Sequence, residues 1–256
     1  MALPRLKCAA NLSLLWPELP LLERFDAAAA SGFTGVEVLF PYHIAVKDIL
    51  AALARTNLEM VLINAPPLNE AEEERGFAGV PGKTARFQQD MRLVFEYAIS
   101  SSVSMVHVMA GVAGGSEAKA TFVENLKWAA QVAPRDLTLM IEPLNRVAMP
   151  GYFLNNYNLA QDVLVAVNAP NVALQFDSYH AQMIHGDAVA VFDQFAHLVR
   201  HVQVGDTPDR GPPGTGKVHF KALFDRMRTS GYQGWISGEY HPIGRTEDTL
   251  DWMKDL

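Results

Sequence analysis

Four oxygen-bearing side chains come at the ends of strand-like apolar runs in the second half of the chain. Glu142 and Glu239 each follow such a run, and Asp177 and Gln203 end two runs between them. Burying a carboxylate costs several kcal/mol unless something pairs with it, so acids at these positions indicate a metal ion or a proton-transfer role. Hard divalent ions such as Mg²⁺ or Mn²⁺ prefer an all-oxygen ligand set. We therefore interpret Glu142, Asp177, Gln203 and Glu239 as one metal-binding constellation.

Two glutamates on opposite sides of a metal ion suit proton transfer next to a carbonyl group, with Glu142 and Glu239 as the catalytic pair. The metal would stabilise the enediolate that forms when a C–H proton leaves. One carboxylate takes the proton and the other returns one to the adjacent carbon or oxygen. The expected product is an aldose–ketose type isomer or an epimer, and a hydride shift is a second route. Which glutamate is the base stays open.

Other polar side chains near these strand ends are candidates for contact with a substrate. His180 follows Asp177 by three residues and either orients a substrate or is a packed core histidine. Arg210, in the loop after Gln203, has the planar guanidinium that clamps a carboxylate, although a surface arginine is the alternative. His107 lies in the middle of a strand and faces the barrel interior or its mouth, and Glu37 has a similar status. The remaining histidines are interpreted as structural or exposed: His185, His197, His201, His219 and His241.

Strand-like runs alternate with helix-like stretches along the whole chain. We predict strands at 7–12, 35–40, 60–64, 105–109, 139–141, 172–177 and 198–204, and an eighth leading to Glu239. We predict helices at 21–31, 44–55, 84–101, 117–132, 159–167, 188–197, 220–230 and 247–254. This alternation implies parallel pairing through right-handed crossovers.

Eight such units in one chain of 256 residues predict an α/β fold, a single (β/α)₈ TIM barrel spanning 1–256. The alternative fold is an open doubly wound sheet, which typically has a glycine-rich phosphate-binding turn after its first strand. The corresponding turn here, Asn11 to Trp16, has no glycine. In a barrel the carboxyl ends of the strands meet at one mouth, which would bring the four site residues together. The long connection over 65–82 holds an acidic cluster at 70–74, and we interpret it as a lid.

Composition excludes several classes of protein. The net charge of −7 argues against a nucleic-acid partner, because binding nucleic acid requires a basic protein surface. Charges or prolines interrupt every apolar run, so no membrane partner is expected. Cys8 is the only cysteine, which excludes an intrachain disulfide and makes a reducing cytoplasm the natural location. A small-molecule substrate is the expected partner. The sequence leaves the oligomeric state open, with a homo-oligomer as one alternative.

Short motifs that could identify a family are spread over nearly the whole length of the chain. They are Asn11-Leu12-Ser13, Gly35-Val36-Glu37, Phe40-Pro41-Tyr42, Asn64-Ala65-Pro66-Pro67, Glu74-Arg75-Gly76, Ile141-Glu142-Pro143-Leu144-Asn145, Pro150-Gly151-Tyr152-Phe153-Leu154, Gln175-Phe176-Asp177-Ser178-Tyr179-His180, His201-Val202-Gln203, Pro213-Gly214-Thr215-Gly216, Gly231-Tyr232-Gln233-Gly234-Trp235 and Gly238-Glu239-Tyr240. With these motifs the chain closely resembles the hydroxypyruvate isomerase family, one of the xylose-isomerase-like barrels. The resemblance implies isomerisation of hydroxypyruvate to tartronate semialdehyde. It also implies Glu142 and Glu239 as the proton-transfer pair, a metal among the four constellation residues, and substrate contacts from His180 and Arg210.

One loop departs from the family pattern. Family members usually read Arg-His-Glu-Pro-Gly-Thr-Gly-Glu there, whereas this chain has Gly211 and Pro212 after Arg210, and Lys217 at the last position. Because two acids near the mouth are absent, we predict a short-chain keto acid or sugar acid rather than one named substrate. The 2-oxo-tetronate isomerases share nearly all the motifs and are the first alternative. Arg75 and Lys217 join Arg210 as candidate cations for a substrate carboxylate.

Three more distant functions compete with this one. A ketose 3-epimerase of the same barrel usually carries a histidine where this chain has Gln203. A metal-dependent DNA-repair endonuclease would need more histidine ligands and a basic surface. A non-catalytic sugar-acid binding protein would have no use for Glu142 and Glu239 together.

Overall fold

The computed structural model describes residues 6–66 and 75–256, and within them eight parallel strands close into a barrel. Each strand pairs with the next along the chain, and β8 pairs back to β1. The strands are β1 Lys7–Asn11, β2 Gly35–Val38, β3 Glu59–Ala65, β4 Met105–Val108, β5 Thr138–Ile141, β6 Val172–Asp177, β7 Val199–Val204 and β8 Trp235–Gly238. The predicted (β/α)₈ barrel is therefore confirmed. The acidic cluster at 70–74 lies outside the described residues, and the lid interpretation stays a prediction.

Helices cover the outside of the barrel between the strands. They are α1 Leu21–Ala30, α2 Val46–Thr56, α3 Thr84–Ser101, α4 Gly115–Val132, α5 Tyr157–Val167, α6 Ser178–His185, α7 Ala188–Phe195 and α8 Phe220–Thr229. The predicted bounds of α3 are confirmed. Helix α6 was missed, because Asp177 ends β6 and also caps the helix, so no loop separates the two. Gly186, with a φ of +80°, then ends α6 in the left-handed conformation that favours glycine.

The predicted closing helix over 247–254 is wrong. Two short 3₁₀ segments, Thr246–Thr249 and Asp251–Asp255, occupy that stretch. The hydroxyl of Thr249 donates to the carbonyl of Thr246, and the carbonyl of Thr249 accepts from the hydroxyl of Tyr240. Such bonds compete with the α-helical ladder. Trp252 is buried, and its indole N–H donates to the same Tyr240 hydroxyl.

The barrel interior changes from apolar to polar along the strands. A separate apolar cluster consists entirely of strand residues and fills the lower part of the barrel, away from the carboxyl rim: Ala9, Val61, Leu62, Met105, Met140, Ala173 and Trp235. Side chains two positions apart on a strand point the same way. Two positions after a cluster residue, each of the six strands that contribute to the cluster has, or is directly followed by, a buried polar residue: Asn11, Asn64, His107, Glu142, Gln175 and Ser237. The upper part of the barrel is therefore a layer of buried polar groups beneath the carboxyl rim.

In the described ranges, each helix is too short or too polar to cross a membrane.

Candidate active site at the carboxyl rim of the barrel

Glu142 directly follows β5 and is buried in the polar layer. Its Oε2 accepts a hydrogen bond from Gln175 Nε2 at 2.9 Å and lies 3.4 Å from His107 Nδ1. Burial lowers the pKa of His107 to about 3, with repulsion from His201 adding to the effect, so the His107 ring is neutral and forms no ion pair. Among the described residues nothing hydrogen-bonds Glu142 Oε1, although that atom is buried. Glu142 thus holds one oxygen in place and leaves the other for a ligand.

Asp177 and Glu239 are joined through one guanidinium group. Arg210 Nη2 donates to Asp177 Oδ2 and to Glu239 Oε2, both at 2.6 Å. The ring of Tyr179 lies 5.4 Å from the centre of that guanidinium. The two carboxylates therefore flank a single nitrogen atom, and a positive charge already sits between them.

His180 points a hydrogen-bond donor at these acids. The backbone N–H of Asn145 donates to His180 Nδ1 at 2.9 Å. Burial lowers the pKa of His180 well below its usual range, with repulsion from Arg210 and His107 in support. A neutral ring whose Nδ1 accepts a hydrogen bond carries its proton on Nε2. That atom lies 3.9 Å from Asp177 Oδ2, so His180 offers the site an N–H group.

The loop after β7 is built around the carboxylate of Asp206. This buried group accepts the backbone N–H groups of Thr207, Gly214, Gly216 and Val218 at 2.8 to 3.0 Å. Asp206 and Gly211 also exchange two backbone hydrogen bonds across the loop. Arg210 precedes Gly211 with a φ of +55°, the left-handed conformation that turns its side chain back over the rim. Asp206 therefore fixes the loop that carries Arg210.

The three acids of the rim repel one another. Burial raises the pKa of Glu142 well above its usual range, and the charges of Asp177 and Glu239 add to the shift. Burial likewise raises the pKa of Asp177 and of Glu239, against the opposing pull of Arg210. Burial alone would lower the pKa of Arg210, but the attraction of Glu239 and Asp177 outweighs it and raises that pKa. One guanidinium leaves most of this negative charge uncompensated.

The residues present suit a divalent cation. Glu142, Asp177 and His180 offer ligand atoms that all lie within 4.8 Å of one another. The Nε2 of His180 is protonated, however, so oxygen atoms are the better ligands: the unbonded Glu142 Oε1, the carboxylates of Asp177 and Glu239, and Gln203 Oε1. Gln203 and Glu142 accept from the same Gln175 Nε2, at 2.6 and 2.9 Å, which brings their oxygens to one side of the barrel. A hard cation would satisfy the orphaned oxygen and offset the crowded charge.

The structure separates the predicted site residues into two groups. Glu142, Asp177, Gln203, Glu239, His180, Arg210 and His107 come together at the rim or just beneath it. Arg75 and Lys217 are instead exposed on loops, and Arg75 adjoins the undescribed residues 67–74.

Sequence reasoning assigned no role to Asn145, Gln175 and Asp206, and it described Glu37 only as a residue of the barrel interior or its mouth. His201, which we expected to be structural or exposed, is buried with its Nε2 2.8 Å from Glu37 Oε2. One available signal was the polar residue two positions after an apolar one on several strands.

Comparison with known proteins gives a consistent picture. Residues 25–256 match the family described as the xylose isomerase-like TIM barrel. The chain is 40% identical over 251 residues to the 2-oxo-tetronate isomerase of Cupriavidus necator, covering 96% of each chain. It is 37% identical over 253 residues to the hydroxypyruvate isomerase of Escherichia coli, covering 97% of this chain and 98% of that one. A crystal structure described as an AP endonuclease, family 2, from Brucella melitensis superposes with a TM-score of 0.92 at 39% identity, over 97% of this chain and 98% of that one.

Proposed function

The chain belongs to the xylose isomerase-like TIM barrel family, and on that basis we propose that it isomerises a short-chain 2-keto-3-hydroxy acid by metal-assisted proton transfer. Hydroxypyruvate, giving tartronate semialdehyde, is the first candidate substrate. A 2-oxo-tetronate is the second, because the relative of that name from Cupriavidus necator shares 40% of its residues with this chain. The two substrates differ by one carbon, and both carry a carboxylate beside the reacting carbonyl group.

One observation carries the proposal. Glu142 and Glu239, nearly one hundred positions apart in the sequence, meet at one rim through Asp177. A carboxylate oxygen of Asp177 lies within 4.8 Å of one of Glu142. Asp177 also shares the Arg210 Nη2 donor with Glu239, at 2.6 Å to each carboxylate. Two buried carboxylates with raised pKa values are suited to exchange protons at neutral pH. This arrangement fits removal of a C3 proton by one glutamate and delivery of a proton to C2 by the other. The hydroxyl proton moves from O3 to O2, so that the atoms balance.

The neighbouring side chains are proposed to bind and orient the substrate. The Nε2–H group of His180 would donate to a substrate oxygen, and the guanidinium of Arg210 would bind the substrate carboxylate. His107 lies beneath Glu142 and would hold it in position through the 3.4 Å contact. Lys217 and Arg75 stay predicted cations at the edge of the mouth.

Glu142, Asp177, Gln203 and Glu239 are proposed to hold Mg²⁺ or Mn²⁺. When bound, the dication would withdraw charge from the carbonyl and hydroxyl oxygens of the substrate. We further propose that residues 1–256 form one domain, that the protein works in the cytoplasm, and that neither nucleic acid nor a membrane is its partner. A homo-oligomer is left open.

The proposal is tested by proton NMR in D₂O with hydroxypyruvate and with a 2-oxo-tetronate, each supplied with Mg²⁺ or Mn²⁺. We expect conversion of at least one of them with solvent deuterium at the carbon that gains the proton. Glu142→Gln and Glu239→Gln should each lose about 100- to 10,000-fold in rate. Glu96→Gln, the same change at an exposed position on α3, is the matched control and should keep the full rate. Conversion that persists in Glu142→Gln or in Glu239→Gln would remove that residue from the mechanism.

A further inference from the structure

The side chain of Gln203 is held at both ends inside the barrel. Its Nε2 donates to Glu37 Oε1 at 2.6 Å, and its Oε1 accepts from Gln175 Nε2 at 2.6 Å. Glu37 itself is completely buried on β2, directly across the polar layer. Both of its oxygens are occupied, because Oε1 also accepts from Asn11 Nδ2 at 3.0 Å and Oε2 lies 2.8 Å from His201 Nε2. Glu37 is thus unavailable as a ligand and acts only on its neighbours.

The direction of these hydrogen bonds follows from a backbone group. The N–H of Ser13 donates to Asn11 Oδ1 at 3.0 Å, which turns Asn11 Nδ2 toward Glu37. Glu37 Oε1 is therefore an acceptor, and only the NH₂ end of Gln203 can face it. A flipped Gln203 amide would oppose two oxygen atoms at 2.6 Å. The identity of residue 37 consequently decides which end of the Gln203 amide points at the rim.

The oxygen of Gln203 is turned toward the acids as a result. It shares the Gln175 Nε2 donor with Glu142 Oε2, on the side of the barrel where Glu142 Oε1 has no partner in the described residues. We infer that Glu37 is a positioning residue that makes Gln203 a metal ligand by presenting its oxygen, rather than its NH₂ group, to the cation. The inference rests on the metal site of the proposed function.

Two changes at residue 37 test this role. In Glu37→Gln the Asn11 Nδ2 group still requires an oxygen at the position of Oε1, so the direction of the Gln203 amide is kept. Glu37→Met removes that oxygen, so the amide of residue 203 is free to flip and turn its NH₂ group to the rim. Both variants replace the carboxylate of residue 37 with a neutral side chain, so a difference between them reports the acceptor atom and not the charge.

The measurement is Mn²⁺ affinity by isothermal titration calorimetry on the purified full chain without substrate. We expect Glu37→Met to bind Mn²⁺ about 10- to 100-fold more weakly than the wild type, as is typical when an outer partner of a ligand is lost. Glu37→Gln should bind Mn²⁺ within a few-fold of the wild type. Wild-type affinity in Glu37→Met, or an equal loss in both variants, would overturn the inference.

Two controls keep the outcomes separate. A wild type that binds no Mn²⁺, or binds it as well after Glu142→Gln, would contradict the metal site of the proposed function, and the inference about Glu37 would fall with it. Should Glu37→Met fail to fold, ¹⁵N NMR of the wild type follows the side-chain NH₂ signal of Gln203, assigned by its absence from a folded Gln203 variant. We expect that signal to stay protected from exchange and to shift on addition of Mg²⁺, and an unshifted signal would overturn the inference.

Discussion

Replacing Arg210 with methionine removes the guanidinium that contacts both Asp177 and Glu239. Leaving a buried charge without its partner costs about 3–5 kcal/mol, and the lower value applies here because 21% of the Arg210 side chain is exposed. A loss of about 3 kcal/mol corresponds to a fall of roughly 6–12 °C in Tm for a chain of this size. We therefore expect a large destabilisation of the metal-free protein.

The loss should depend on pH in a defined direction. Burial already raises the pKa of Asp177 and Glu239, and Arg210 opposes the shift. Without Arg210 both pKa values rise further, so the folded state binds more protons than the unfolded state. Stability then falls as pH rises from the unfolded pKa, about 4, toward the folded values. The gap in Tm between Arg210→Met and the wild type should widen from mildly acidic to neutral pH.

Divalent metal should compensate for the missing guanidinium. A ligand present at about 100 times its Kd stabilises the folded state by about 2.7 kcal/mol, so excess Mn²⁺ should return most of the lost stability. The assay is thermal unfolding at two pH values, with chelator or with Mn²⁺.

Arg226→Met is the matched control, because it breaks an exposed ion pair of 3.2 Å with Asp193. Such a pair contributes about 1 kcal/mol or less. If Arg210→Met loses no more than this control, or loses the same at both pH values and gains nothing from Mn²⁺, the charge argument is refuted.

Two further changes probe the groups that flank the acids. If the Nε2–H group of His180 donates to the substrate, His180→Gln should lower kcat about 100-fold or more. It should leave the Mn²⁺ affinity within a few-fold, because Nδ1 accepts the Asn145 N–H and Nε2 carries the proton. A tenfold loss of Mn²⁺ affinity by calorimetry would identify His180 as a metal ligand instead. Asp206→Asn leaves one acceptor oxygen for four backbone N–H groups. It should lower stability by about 1–3 kcal/mol and raise KM for the keto acid, and an unchanged KM would show that Arg210 is positioned independently of Asp206.

The barrel was predictable because its signal is repeated. Parallel strands buried on both faces read as short apolar runs, such as Val172–Asp177, and each is separated from the next by a helical stretch. The meeting of the acids was predicted for a related reason, since the carboxyl ends of the parallel strands of a barrel share one rim. Helix α6 escaped notice because Asp177 serves both as the last strand residue and as the helix cap.

The hydrogen bonds within the polar layer were not predictable, because they depend on how the strands are aligned. The pairing of β6 with β7 shifts by one residue between Leu174 and Gln175, which sets Gln175 beside His201. A second shift between Val36 and Glu37 sets Glu37 beside Leu62. Such bulges leave no mark in composition or periodicity, yet each one decides which side chains meet across the barrel. The contacts that residues 37, 175 and 201 make therefore stay unknown until the register is known.

Arg210 links the two ligands that the site is proposed to hold. In the structure its guanidinium binds Asp177 and Glu239, the same carboxylates that would bind the cation. A dication held there would neutralise both acids, and the guanidinium would then be available to a substrate carboxylate. By thermodynamic linkage, the factor by which bound metal raises the substrate affinity equals the factor by which bound substrate raises the metal affinity. Metal and keto acid should therefore bind cooperatively in the wild type, and Arg210→Met should abolish the cooperativity while binding the metal alone more tightly.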